Sequence, residues 1–123
     1  MQTMRASCHC QAVRVEVQCD PDHVLAECNC SICARVGYLH LIVPRDRFSL
    51  VEGETELTSY RFNSGVANHL FCRICGVKVF YIPRSHPEGI SVNARCLDDE
   101  LWRRMAIKPF DGQNWEANVS QIQ

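Results

Sequence analysis

Apolar and polar residues alternate with a period of two along much of this chain, the pattern of strands with one buried and one wet face. Val13, Val15 and Val17 alternate with Arg14, Glu16 and Gln18. Asp20-Pro21-Asp22 then turns the chain, and Val24-Leu25-Ala26 leads toward a cysteine-rich segment. Tyr38 to Val43 predicts a buried strand stopped by Pro44, which has no N–H to give to a ladder. Leu57 to Phe62 predicts another, closed by the turn residues Asn63-Ser64-Gly65, and His69-Leu70-Phe71 follows. Val77 to Ile82 is rich in β-branched and aromatic residues and predicts a strand ending at Pro83. Ser85 to Gly89 is a loop, after which Ile90 to Ala94 alternates again. Helix is scarce. One or two turns are expected over Ser31 to Val36 and over Asp98 to Met105, the second opened by three acids that suit a helix N-terminus. Phe110 to Trp115 reads as a final turn with an aromatic anchor, and the last eight residues are polar enough to fray. The fold class is therefore mainly β.

The chain has 123 residues, one domain's length, and a chain of this size buries roughly two-thirds of its unfolded surface. The 13 basic and 14 acidic residues nearly cancel, so charge supports neither a nucleic-acid nor a membrane-surface partner. Cysteine is the departure: 9 of 123 residues lies just under the roughly 8–10 % at which a short secreted chain suggests a disulfide scaffold. The first eight residues lack the apolar core of a secretory signal, and no run reaches the ~18 apolar residues of a membrane span. Unless the chain is a secreted fragment stripped of its signal, it is expected in the cytoplasm. The cysteine count is also odd, and seven of the nine lie in clusters with one or two intervening residues, which is ligand spacing more than cross-link spacing.

Three clusters carry the chemistry: Cys8-His9-Cys10, Cys28-Asn29-Cys30-Ser31-Ile32-Cys33 and Cys72-Arg73-Ile74-Cys75-Gly76. Paired thiolates at these spacings bring soft ligands to one ion, and an all-sulfur tetrahedral site takes zinc or iron. Cys72 and Cys75 supply two ligands and need a second pair, for which Cys8 and Cys10, on one face of an extended backbone, are the plain donors. The middle trio is one ligand short of closing a site. Structural zinc sites are full, whereas catalytic ones keep an open position. Ligand counting thus assigns Cys8, Cys10, Cys72 and Cys75 to a closed site and Cys28, Cys30 and Cys33 to an open one. Pairing Cys8 and Cys10 with the middle cluster also satisfies the count. A redox dithiol at Cys72 and Cys75 would want a βαβ pattern that is missing, while the lesser reading of the trio is a structural site with Cys96 or a histidine as fourth ligand. Cys19 and Cys96 read as small buried hydrophobes, and His9 and His69 as structural histidines.

In order and spacing, Ser7-Cys8-His9-Cys10 with its following strand, Cys28-x-Cys30-Ser31-x-Cys33, and Phe71-Cys72-x-x-Cys75-Gly76 resemble the zinc-binding family of glutathione-dependent formaldehyde-activating enzyme and centromere protein V. Phe80 to Pro87 and Cys96-Leu97-Asp98 look closer to the centromere protein V branch. The resemblance covers about Met4 to Trp115, the core of a single domain read as 1–123. It implies an Mss4-like fold of small antiparallel sheets, two zinc ions divided as above, and a carbon-sulfur lyase-type reaction in which glutathione and formaldehyde combine into S-hydroxymethylglutathione. The chain departs from the family pattern at Ala6 and Gln11, where glycines often stand, and at Asn29, the place of a frequent histidine. A thiol entering the open position would be deprotonated on binding and presented as a nucleophile. Glutathione's carboxylates want cations, and Arg35 and Arg84 are the candidates. The rival class is a zinc-stabilised interaction or thiol-carrier module without turnover.

Overall fold

A computed structural model describes residues 1–62, 65–114 and 116. The expected anchor at Trp115, the turn residues Asn63 and Ser64, and seven of the last eight residues lie outside that description, Glu116 being the exception. Among the described residues ten strands follow in chain order: β1 (Gln2–Ser7), β2 (Arg14–Cys19), β3 (Leu25–Cys28), β4 (Leu39–Pro44), β5 (Phe48–Glu52), β6 (Leu57–Tyr60), β7 (Asn68–Cys72), β8 (Phe80–Ile82), β9 (Gly89–Asn93) and β10 (Ile107–Phe110). An α-helix, α1 (Ser31–Val36), sits between β3 and β4. The protein is mostly β, as its alternation predicts.

Two sheets form. A small antiparallel one runs β1-β2-β5, and a seven-stranded one runs β10-β3-β4-β9-β8-β7-β6, antiparallel except where β10 lies parallel to β3. The core collects the inward-facing side chains of both: Met4 and Ala6 from β1, Val15 and Val17 from β2, and Leu39, Leu41, Phe80 and Val92 from the large sheet. On β2 the alternating valines are buried and the intervening Arg14 and Gln18 exposed, so a one-residue slip would invert the strand. Burying one such aliphatic side chain contributes about 1.5–3 kcal/mol. Among the described residues no helix is long and apolar enough to cross a membrane.

Several local expectations change. The strand predicted from Val77 begins only at Phe80, because the backbone of the preceding residues is used otherwise: Val77 O accepts from Cys72 N at 3.0 Å, and Val79 O accepts from Asn93 N at 2.7 Å. The helix predicted over Asp98 to Met105 is a kinked 3-10 segment, Asp98–Arg104, broken where Asp99 (φ 58°) and Glu100 (φ 50°) enter the left-handed region. Three strands have no strong signal in the sequence. β1 turns only Met4 and Ala6 inward, β5 buries no residue fully, and β10 contains Pro109, which its edge position tolerates.

Candidate metal and thiol site

The first cluster is assembled by the turn after β1 and the end of β7. The Sγ atoms of Cys8, Cys10, Cys72 and Cys75 all lie within 4.8 Å of one another. Cys8 and Cys10 are 3.6 Å apart, and Cys10 and Cys72 are 3.7 Å apart. A tetrahedral ion with bonds of about 2.3 Å spaces its sulfurs about 3.8 Å apart, so the four thiols already stand at zinc geometry. Val13 N donates to Cys8 Sγ at 3.3 Å, the kind of amide contact that stabilises thiolate charge. Gln11 adopts φ 66° and donates its N–H to Cys8 O at 3.1 Å, closing the turn that aims the first pair. This cluster bridges residues 62 apart and ties the small sheet to the large one.

The second cluster lies on the other side of the large sheet. Cys28 ends β3, Cys30 caps α1, and Cys33 stands in its first turn. Cys33 N donates to Cys30 Sγ at 3.4 Å, a capping contact that explains how so short a helix starts. A residue that sequence reasoning did not single out joins them. Cys28, Cys33 and His40 offer ligand atoms within 4.8 Å of one another, with Cys33 Sγ 3.3 Å from His40 Nε2. Zinc bonds of about 2.3 Å to sulfur and about 2.0–2.1 Å to nitrogen place such a pair roughly 3.5 Å apart, close to what is seen. Cys30 does not belong to that closest group, but its thiol couples to the other two. Hydrogen bonds with Cys28 and Cys33 hold the Cys30 thiol well below its ordinary range, whereas Cys33 is pushed up by its bonds with Cys28 and Cys30 and by burial.

His40 is oriented from behind. Its Nδ1 is 3.0 Å from Ser91 Oγ and 3.2 Å from Tyr81 Oη, leaving Nε2 toward Cys33. Burial, reinforced by the nearby Lys78 charge, pulls His40 down to about 3, the neutral state that a metal requires. Strand register supplies these partners. Tyr60, His69, Tyr81, Ser91 and Ile42 sit directly opposite one another across β6, β7, β8, β9 and β4, one row on one face of the sheet. A cavity of about 740 Å³ opens over the row, lined by Cys28, Cys30, Cys33, His40, His69 and Tyr81 among others.

The turn after β10 closes the far side. Asn29 Nδ2 donates to Asp111 Oδ1 at 3.1 Å, and Gln113 N donates to Asn29 Oδ1 at 3.0 Å. Asn29 therefore clasps the knuckle to the 111–114 turn. Gly112 packs so tightly there that any Cβ would overlap Cys28 Sγ and meet Cys30 Cβ at 3.0 Å. Of the two arginines expected at the substrate, Arg84 lines the cavity and pairs with Glu116. Arg35 does not reach it: the side chain folds back on α1, donating to Ser31 O at 2.9 Å. Cys19 is buried against Met4 Sδ at 3.5 Å, Cys96 is half-buried outside both groups, and His9 is exposed.

Residues 3–117 match the family described as glutathione-dependent formaldehyde-activating enzyme. The chain belongs to that family. A solved structure of a Rhodobacter sphaeroides protein is similar at 35 % identity over 78 % of this chain and 89 % of that one, with a TM-score of 0.73. The mainly β architecture of this family member is thus shared with a solved fold, and its two cysteine-rich clusters can hold metal ions.

Proposed function

We propose that the chain binds two zinc ions and, at the second, makes and breaks the carbon-sulfur bond between a small thiol and an aldehyde, with glutathione and formaldehyde as the pair and S-hydroxymethylglutathione as the adduct. The observation that carries this reading is the placement of Cys28, Cys30 and Cys33 on the wall of an open cavity, whereas the other four thiols close on one another. Cys8, Cys10, Cys72 and Cys75 would hold the structural ion. Cys28, Cys30 and Cys33 would hold the reactive one. When bound, such an ion supplies a position at which an incoming thiol becomes a thiolate at neutral pH. Around it the chain's own residues shape the reaction. The Asn29 clasp and Gly112 fix the Cys28 sulfur, Arg84 would exchange its Glu116 partner for a carboxylate of the thiol, and His69 and Tyr81 line the same cavity. The likeness of Phe80 to Pro87 to the centromere protein V branch belongs to the same proposal, as does the cytoplasm, where thiols stay reduced.

The test is a family-name assay on this chain: zinc-loaded protein, glutathione and ¹³C-formaldehyde, with adduct exchange followed by NMR. Exchange faster than the uncatalysed rate, lost in Cys33→Ser, supports the reading; an unchanged rate contradicts it. A second reading rests on His40. With Cys28, Cys30, Cys33 and His40 as four ligands the second site is full, and the protein becomes a zinc-stabilised interaction or thiol-carrier module without turnover. Cys33→Ser would then unfold the domain as thoroughly as Cys72→Ser.

A further inference from the structure

His69 stands outside both sulfur groups, yet it reaches the cavity with a buried cation directly behind it. Its ring stacks on Tyr81 with centroids 4.8 Å apart and on Phe62 at 5.3 Å, so its plane is fixed on both faces. Its Nδ1 lies 2.6 Å from Lys78 Nζ. Lys78 is only 6 % exposed, and its ammonium lies 4.0 Å from the centre of the Tyr81 ring and 4.9 Å from that of Tyr38. An ammonium only donates, so Nδ1 accepts, and a neutral imidazole accepting at Nδ1 carries its proton on Nε2. Nε2 has no hydrogen-bond partner among the described residues, and His69 lines the cavity. Other polar groups on that wall are committed: Tyr81 Oη to His40, Ser85 Oγ to His86, and Arg84 to Glu116.

We propose that His69 is the proton donor to the carbonyl oxygen as a thiolate adds to an aldehyde in this cavity, with Lys78 as the positioning residue that fixes the Nε2–H tautomer and replenishes the proton. This rests on the thiol–aldehyde reading above. The sulfur lone pair forms the carbon-sulfur bond, the carbonyl π pair moves to oxygen, and that oxygen takes the proton from His69 Nε2. Nδ1 takes a proton from Lys78 Nζ in the same step, so the imidazole never becomes an anion. Lys78 is left neutral until the proton released by the next incoming thiol restores it. Thiol plus aldehyde gives hemithioacetal with no net proton gained or lost, and no oxidant or reductant is needed. Burial pulls Lys78 down to about 8, so that proton can leave near neutral pH. The groups facing the pair are Tyr38 and Tyr81, which burial keeps neutral, His40, also neutral, and the negative cluster of Cys28, Cys30 and Cys33, which favours the ammonium between turnovers.

The experiment uses the full zinc-loaded chain labelled with ¹⁵N. Long-range proton–nitrogen correlation should show His69 as the Nε2–H tautomer, a tautomer mixture in Lys78→Met, and recovery in Lys78→Arg, which keeps a donor. His69→Gln should lower kcat for glutathione and formaldehyde on the order of 10²-fold, the usual worth of general acid catalysis. Glutathione affinity, read from the sulfur charge-transfer band of cobalt-substituted protein, should change less than twofold. An Nδ1–H tautomer in the wild type overturns the inference whether or not His69→Gln folds. So does a kcat within twofold of wild type in His69→Gln. A wild type that turns over no thiol–aldehyde pair overturns the functional reading and the donor role together, and the tautomer then separates a mistaken reaction from a mistaken His69–Lys78 geometry.

Discussion

His69 and Gly112 show how single residues set this site's chemistry. Burial, reinforced by the Lys78 ammonium, lowers His69 from 6.5 to about 4. The unfolded chain therefore takes up a proton near pH 6.5 that the folded ring refuses until about 4. The stability due to the neutral ring is complete above the upper value and is lost as pH falls toward the lower one. An NMR titration of the His69 ring carbons should give a midpoint below 5, and a midpoint near 6.5 would contradict the buried pairing. Gly112 makes a steric prediction. In Gly112→Ala the new methyl overlaps Cys28 Sγ, costing roughly 1–3 kcal/mol as overpacking. Metal analysis should show the variant losing the second zinc while keeping the first. Retention of both ions would mean the 111–114 turn moves aside freely.

At the scale of elements, legibility followed the strength of local pattern. The valines of β2 and the run of β4 face the core and are plain in the sequence, as is α1, bounded by its capping Cys30 and by Gly37. β1, β5 and β10 were not legible, because each is set by partners rather than by its own alternation; β10 adds in parallel to β3, a pairing 82 residues distant. The cysteine clusters are plain from spacing, which leaves open whether Cys8 and Cys10 join Cys72 and Cys75 or the middle trio; in the fold the Sγ atoms of Cys8, Cys10, Cys72 and Cys75 lie within 4.8 Å of one another. His40 was not legible: it lies in an apolar strand seven residues past Cys33, and only the return of β4 alongside β3 brings it to the sulfurs. Arg35 misled for the converse reason, since proximity in sequence to Cys33 carries no direction around a helix. Gly53, before the short 3-10 turn Glu54–Glu56, has φ 99°, and a Cβ there would overlap Ala12 O and sit 2.7 Å from Val13 Cα. Strain and overlap together should make Gly53→Ala cost roughly 2–4 kcal/mol, measurable by urea unfolding of zinc-loaded protein. Because Ala12 follows the first thiol pair, the variant should also weaken that metal site.

For the molecule as a whole, the proposed function divides labour between the two clusters, one holding the sheets together and the other presenting a reactive face. The four-thiol group joins β1 and β7, in different sheets, and zinc in such sites contributes ~10–16 kcal/mol of apparent binding energy in small domains. Cys72→Ser, or a chelator strong enough to strip that ion, should therefore abolish cooperative folding by circular dichroism. Cys28→Ser should leave the folded signal while losing one zinc, and equal unfolding of the two variants would favour two structural sites. Zinc X-ray absorption with and without glutathione tests the central claim most directly. The open-site account predicts that glutathione adds one sulfur neighbour at the second of the two ions, raising the average zinc shell by about half a sulfur at the expense of nitrogen or oxygen. A shell that keeps its nitrogen and gains no sulfur at saturating glutathione would show the second site closed by His40 and would contradict it.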